Sequence, residues 1–224
     1  MILTNRLFVR VPPNREAKSI YIFCEGVKRE YDYFEYFREL DSRINIEVYK
    51  LQEQEGNSPL GLLKIAEKCI NKTGGNPNPK YNFIEGDEVW IVLDVDKDKF
   101  NSREPQIINI QERCGELDNW HLAQSNPCFE VWLYYHLHSK KPTFNNSEKC
   151  SEWKQLVSDS IKGGFDSRRH PIYIETASVN AEKNFRLVNN MPDLGSTNVY
   201  KLANTIVPLV SSKLKKVLNQ IEGQ

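Results

Sequence analysis

Residues 88–94 read EVWIVLD, an unbroken apolar run between two acidic residues. Its length and its β-branched and aromatic content predict a strand of a parallel sheet, because a strand that is covered on both faces loses the apolar–polar alternation. Residues 19–25, SIYIFCE, follow the same pattern, and residues 44–51 and 120–124 supply two further strands. Strands that alternate with helical patterns predict the α/β class with a parallel sheet.

Helical patterns fill the segments between and after these strands, with apolar residues three and four positions apart. Ser58 and Pro59 form an N-cap and first-turn pair, and Asn126 and Pro127 are predicted to form another. The expected helices cover residues 29–41, 59–73, 107–117, 127–138, 148–161, 174–190 and 197–221. The chain is therefore predicted to form an α/β core of about four strands at 1–138, with a helical C-terminal extension at 139–224 packed on it.

The composition is that of a globular protein of 224 residues with no net charge. Thirty basic residues balance thirty acidic ones, so contact with a polyanion has to come from a local patch. The five cysteines include no C-x-x-C pair, which argues against a disulfide framework and a zinc ribbon and favours a reducing compartment. Without a signal-like start or an 18-residue apolar run, the sequence predicts a cytoplasmic protein with no membrane contact.

Acidic residues follow two of the predicted strands. Glu25 and Gly26 end the first, and Asp94 and Asp96 end the third. Ligands bind at the carboxyl ends of parallel strands, and carboxylates are the ligands that Mg²⁺ prefers. An Asp after a strand also commonly caps a turn, so the prediction of a cation site depends on the two strands being neighbours.

Two further acids are candidates with an alternative explanation each. Glu130 is the only charged residue between Pro127 and Leu137, so we expect it to be partly buried. A buried acid needs either a basic partner or a metal ion, and both remain open. Glu30 lies early in the first predicted helix, where the helix dipole alone favours an acid.

Basic residues close to these acids could bind a phosphate backbone, although surface lysines beside acids are commonly only solvated. A second group lies in a glycine-containing loop around Phe165. The predicted nucleic-acid-binding residues are Lys28, Lys97, Lys99, Arg168 and Arg169.

Three blocks of sequence resemble the RloB-like family: CEGVKREYDYF (24–34), VWIVLDVD (89–96) and SNPCFEVWLYYH (125–136). The resemblance covers roughly residues 19–138. The core of that family is similar to a Toprim domain, related to the nuclease half of OLD-type and PARIS-type phage-defence systems. The resemblance implies a Toprim-like sheet and a phosphodiesterase site that uses Mg²⁺, with Mn²⁺ as a substitute. The implied catalytic residues are Glu25, Asp94, Asp96 and Glu130, and the implied metal ligands are Glu25, Asp94, Asp96 and Glu30.

The resemblance also implies a biological role, that of an antiphage effector in abortive infection. Its substrate would be RNA, including tRNA, or DNA. Since the sequence contains no Walker A motif, the AAA- or ABC-type ATPase that accompanies such effectors would be a separate protein.

Two other functions remain open from the residues. A HAD-like phosphohydrolase also uses D-x-D, but after its first strand, where this chain has Glu-Gly. In a non-enzymatic partner-binding module, the acids would only fix the loops.

Overall fold

The computed structural model describes residues 8–96, 100–142 and 149–222, and side chains in these ranges except those of residues 100 and 101. The predicted basic residues Lys97 and Lys99 lie outside the described residues. Four parallel strands form the central sheet in the order β2-β1-β3-β4, which confirms the predicted α/β class. The strands are β1 (Lys18–Cys24), β2 (Ile44–Tyr49), β3 (Glu88–Asp94) and β4 (Trp120–Ser125).

Three helices connect the strands: α1 (Arg29–Glu35), α2 (Pro59–Ile70) and α3 (Phe100–Glu116). Alternate residues of each strand point to opposite faces of the sheet. In β1, Ile22 packs in one apolar cluster with the residues of α1, while Phe23 packs in the other with those of α2 and α3. Both faces of the sheet are therefore covered, which explains the unbroken apolar runs.

The strand order contains a switch point between β1 and β3. The chain leaves β1 through α1 to reach β2 on one side, then returns through α2 to β3 on the other side of β1. After β1 the chain turns through α1 toward β2, and after β3 it turns through α3 toward β4, in the opposite direction. These two connections open a crevice at the carboxyl ends of β1 and β3. Glu25 and Asp94 lie at those ends, as the sequence requires for a shared site.

The remaining helices pack on the face of the sheet that α1 covers. They are α4 (Glu130–Tyr134), α5 (Cys150–Ser160), α6 (Ile174–Asn184) and α7 (Val199–Glu222), with a 3₁₀ turn at His170–Tyr173. Trp132, Trp153 and Ile206 belong to the same buried cluster as Ile22. No helix in the described ranges is long and apolar enough to cross a membrane.

Several predicted helix ends are wrong, each for a local reason. The first helix ends at Glu35 rather than Asp41, and Glu39 has a left-handed φ of 58° that a helix cannot contain. The sixth ends at Asn184, and a hairpin of β5 (Leu187–Val188) and β6 (Met191–Pro192) replaces its predicted last turns. Asn189 and Asn190 supply the positive φ angles of its turn.

The predicted cap at Asn126 is also wrong, because α4 begins four residues later. The Asn126 side chain donates to the Pro192 carbonyl at 2.7 Å, and its backbone N–H donates to that of Ser196 at 3.0 Å. These long-range contacts hold the start of α7 against the end of β4.

Candidate active site

Four carboxyl groups gather at the switch point, and we call Glu25, Glu30, Asp94 and Glu130 the acidic cluster. Burial first, and then the charges of Glu30, Glu25 and Glu130, raise the pKa of Asp94 well above its usual range. Burial, and then Glu130 and Glu25, raise the pKa of Glu30 to about 7. Side chains from β1, α1, β3 and α4 thus share one electrostatic environment.

The backbone of β1 and β3 fixes the first two members. The Glu25 N–H donates to the Val92 carbonyl at 3.1 Å, which continues the β1–β3 ladder by one residue. The Asp94 N–H in turn donates to Oε2 of Glu25 at 3.3 Å. The Glu25 carboxylate is thereby held beside the end of β3.

Gly26 makes room for Glu30. A Cβ atom at position 26 would lie 1.8 Å from Oε2 of Glu30, so any side chain there would displace this carboxylate. The φ of Gly26 lies outside the left-handed region, so the close approach of the Glu30 carboxylate, and not a turn, is what glycine accommodates here.

Glu130 is the first residue of α4 and is 5 % exposed. None of the salt bridges within the described parts of the chain includes Glu130. Its charge instead raises the pKa of Glu30 and Asp94. The geometry therefore groups Glu130 with acids rather than with a described basic partner.

Asp96 lies at the margin of the acidic cluster. Its N–H donates to the Pro127 carbonyl at 3.0 Å, and its φ of 43° turns the chain after β3. Its charge acts on Arg103 and on the Cys150 thiol. That thiol is hydrogen-bonded to Cys128, and all five cysteines are free.

Arg103, in the first turn of α3, is a site residue that no sequence motif predicts. Its Nη1 donates to Oε1 of Glu25 at 2.8 Å and its Nη2 to Oε2 at 2.6 Å. Nη2 also donates to the Asp94 carbonyl at 2.7 Å. A cation in the first turn of a helix opposes the helix dipole, and this conflict is the signal that could have identified Arg103.

The donor chemistry of the acidic cluster suits a hard divalent cation, since it consists of carboxylate oxygens whose mutual repulsion a cation would relieve. Within the described residues, however, no three His, Cys, Asp or Glu side chains are arranged to hold one ion. Both Glu25 oxygens are engaged by Arg103. The residues fit such an ion in donor type and in charge, and Glu25 would have to share or exchange its guanidinium partner.

A comparison with protein-family models assigns the chain. The model of the RloB-like protein family matches residues 20–206. The chain belongs to the RloB-like family. The match extends beyond the expected 19–138 into α7 and includes the whole acidic cluster and Arg103. Searches of curated proteins and of solved structures gave no significant match.

This RloB-like chain also has a groove at the start of α1. A cavity of about 700 Å³ lies between the start of α1 and the loop at 163–168, with Lys28, Phe165 and Arg168 in its lining. Arg168 forms a two-pronged ion pair with Asp166 at 2.9 Å, and Arg169 lies 3.9 Å from the same carboxylate. The predicted basic residues Lys28 and Arg168 thus share one groove with Arg29, and the acids Asp32, Glu35 and Asp166 in the same lining balance their charge.

The raised pKa of Glu30 predicts a pH-dependent stability of the RloB-like protein in EDTA. The folded pKa of about 7 lies above the usual 4.5, so the folded state favours the protonated carboxyl. The resulting stability is fully present below about pH 4.5 and is lost as the pH rises through about 7. We expect Glu30→Gln to melt at increasingly higher temperature than the parent as the pH rises over that interval. A melting difference that does not change with pH would contradict the cause given for this pKa.

Proposed function

We propose that this RloB-like chain is a divalent-metal-dependent nuclease of the Toprim type. The observation that carries the proposal is the convergence of Glu25, Glu30, Asp94 and Glu130 at the switch point of a parallel sheet. Burial and the neighbouring acids raise the pKa of Glu30 and of Asp94, and such carboxyl groups are typical of functional sites, since they cost stability that a purely structural role does not repay. Lys28, Arg29 and Arg168 line a groove at the start of α1 and are the proposed contacts to a phosphate backbone.

The metal ligands of the proposed site are Glu25, Asp94, Asp96 and Glu30. A divalent ion there would supply a Lewis acid that lowers the pKa of water and stabilises charge on the leaving oxygen. The chain itself supplies the negative potential that attracts the ion. Glu130 is the proposed catalytic acid outside the ligand set.

The family resemblance supports the biological part of the proposal. We infer a cytoplasmic antiphage effector that acts on RNA or DNA, with tRNA as one candidate substrate. An AAA- or ABC-type ATPase is the proposed partner, because this chain has no Walker A motif of its own.

In the deciding experiment the purified protein is incubated with labelled RNA, with labelled DNA or with the monoester p-nitrophenyl phosphate. Each substrate is tested in the presence of Mg²⁺, of Mn²⁺ and of EDTA. We expect cleavage of a nucleic acid that requires the cation, and no monoester hydrolysis. Monoester hydrolysis without nucleic-acid cleavage would support a HAD-like phosphohydrolase instead. A protein that neither cleaves nor gains thermal stability from Mn²⁺ would be a partner-binding module.

The arginines of the loop at 163–168 and the next residue, Arg168 and Arg169, give a separate prediction about substrate binding. We expect the double variant Arg168→Ala, Arg169→Ala to bind nucleic acid more weakly and to reduce the slope of log K against log salt by about 1. The reduction is limited because Asp166 already balances part of this charge. The variant Lys215→Ala, Lys216→Ala on the exposed side of α7 is the control, and fluorescence anisotropy at several salt concentrations measures both. An equal slope in all three proteins would show that the two arginines do not contact phosphate.

A further inference from the structure

Arg103 is the buried base inside the acidic cluster. Its side chain is 7 % exposed and donates two hydrogen bonds to Glu25 and one to the Asp94 carbonyl. Its Nε atom is buried and has no hydrogen-bond partner among the residues that the structure describes. A buried guanidinium with an unused donor is costly, because the desolvation of that N–H is not repaid.

Folding alone gives little reason for an arginine at this position. The first turn of α3 is the positive end of a 17-residue helix, where a cation is disfavoured. A buried ion pair also contributes little net stability compared with apolar residues of similar size. What Arg103 does supply is a positive charge in contact with an acidic cluster whose members repel one another.

The same contact sets a limit on cation binding. Both carboxylate oxygens of Glu25 accept from Arg103, so a divalent ion that binds Glu25 meets a guanidinium on the same atoms. Two positive groups within a few ångströms in a partly buried site repel each other strongly. The divalent ion and Arg103 should therefore compete for the Glu25 carboxylate.

We propose that Arg103 is the internal counter-cation of the acidic cluster, that a divalent cation competes with it for Glu25, and that the guanidinium released by this competition contacts a non-bridging oxygen of the scissile phosphate. This inference rests on the proposed nuclease function and adds a substrate-binding catalytic residue to it. A planar guanidinium suits two phosphate oxygens at once, and no described residue accepts a hydrogen bond from Nε, which leaves it available for that contact.

The proposed role and a structural role of Arg103 predict opposite changes in cation affinity when the side chain is removed. If Arg103 only orients Glu25, its removal weakens cation binding. If the guanidinium competes with the cation, its removal tightens cation binding and yet slows cleavage, because the phosphate contact is lost.

The test measures Mn²⁺ binding by calorimetry without nucleic acid, and then single-turnover cleavage at saturating Mn²⁺. For Arg103→Ala we expect the Mn²⁺ Kd to fall about tenfold or more and cleavage to slow about 100-fold or more. Arg103→Lys keeps the charge but loses the two-pronged contact, so its Kd should fall by a smaller factor. Arg113→Ala is the matched control, because Arg113 lies on the same helix and pairs with Glu67 and Glu116 away from the cluster.

The possible results distinguish a failure of the role proposed for Arg103 from a failure of the proposed nuclease function. Melting in EDTA identifies any variant that fails to fold, and Arg103→Gln replaces Arg103→Ala in that case. An unchanged or raised Mn²⁺ Kd in the folded Arg103 variant overturns the competition, even if the parent binds Mn²⁺ and cleaves. Tighter Mn²⁺ binding with an unchanged cleavage rate overturns the phosphate contact. A parent protein that does not bind Mn²⁺ at all overturns the proposed function, and this inference with it.

Discussion

Asp94→Asn is expected to slow cation-dependent cleavage by about 10³-fold or more, while the free protein becomes at least as stable as the parent. Asparagine keeps the shape of the side chain but removes a charged ligand at the end of β3. The pKa of Asp94 is raised by burial and by the neighbouring acids, so its ionised form opposes folding at neutral pH. The substitution therefore removes the activity and relieves this repulsion together.

The sign of the stability effect depends on pH. A carboxyl group with a raised folded pKa contributes stability at low pH that is lost as the pH rises through that pKa. Asparagine has no such loss, so its advantage in melting temperature in EDTA should grow as the pH rises and should shrink in acid. Asp118→Asn is the control, since Asp118 is exposed in the turn after α3. Cleavage within about tenfold of the parent rate would remove Asp94 from the site.

Glu130→Gln is expected to reduce cleavage by about 10²-fold or more and to weaken Mn²⁺ binding, without lowering the stability of the free protein. Glu130 is buried, and its charge raises the pKa of Glu30 and Asp94, so its neutralisation lowers the repulsion in the cluster. Calorimetry with Mn²⁺ and urea denaturation in EDTA measure the two effects separately.

The alternative explanation of Glu130 gives the opposite result. If Glu130 were half of a buried ion pair, its neutralisation would strand a basic partner and lower the free energy of unfolding by about 3 kcal/mol or more. Glu152→Gln, an exposed acid in the first turn of α5, controls for general effects of charge removal. A destabilised Glu130→Gln protein with parental Mn²⁺ affinity would leave Glu130 outside the site.

The sequence predicts the sheet and names all four acids of the cluster as candidates, and the signals at the ends of β1 and β3 are local. The apolar run at 88–94 coincides with β3, and its acidic end places Asp94 at the sheet edge. Whether Glu25 lies beside it depends on the order of the strands, which the sequence leaves open. The register between β1 and β3 decides that point.

The remaining features depend on contacts between distant segments. Arg103 meets Glu25 across 78 positions, and no helical pattern indicates that pairing. Asn126 and Pro127 have the local chemistry of a helix start, but the Asn126 side chain turns to Pro192, and its Oδ1, which a cap would use as acceptor, has no hydrogen-bond partner among the described residues. Local propensity is a weak preference, and tertiary contacts override it here.

Anomalous diffraction at the manganese edge, from crystals soaked in Mn²⁺, tests the central claim most directly. The account predicts an anomalous peak about 2.1 Å from carboxylate oxygens of Asp94 and its neighbours in the acidic cluster. It also predicts that the peak is absent from Asp94→Asn crystals soaked in the same way. A manganese peak located only elsewhere on the protein, with the acidic cluster unchanged beside Arg103, would contradict the claim that these carboxylates form a metal site.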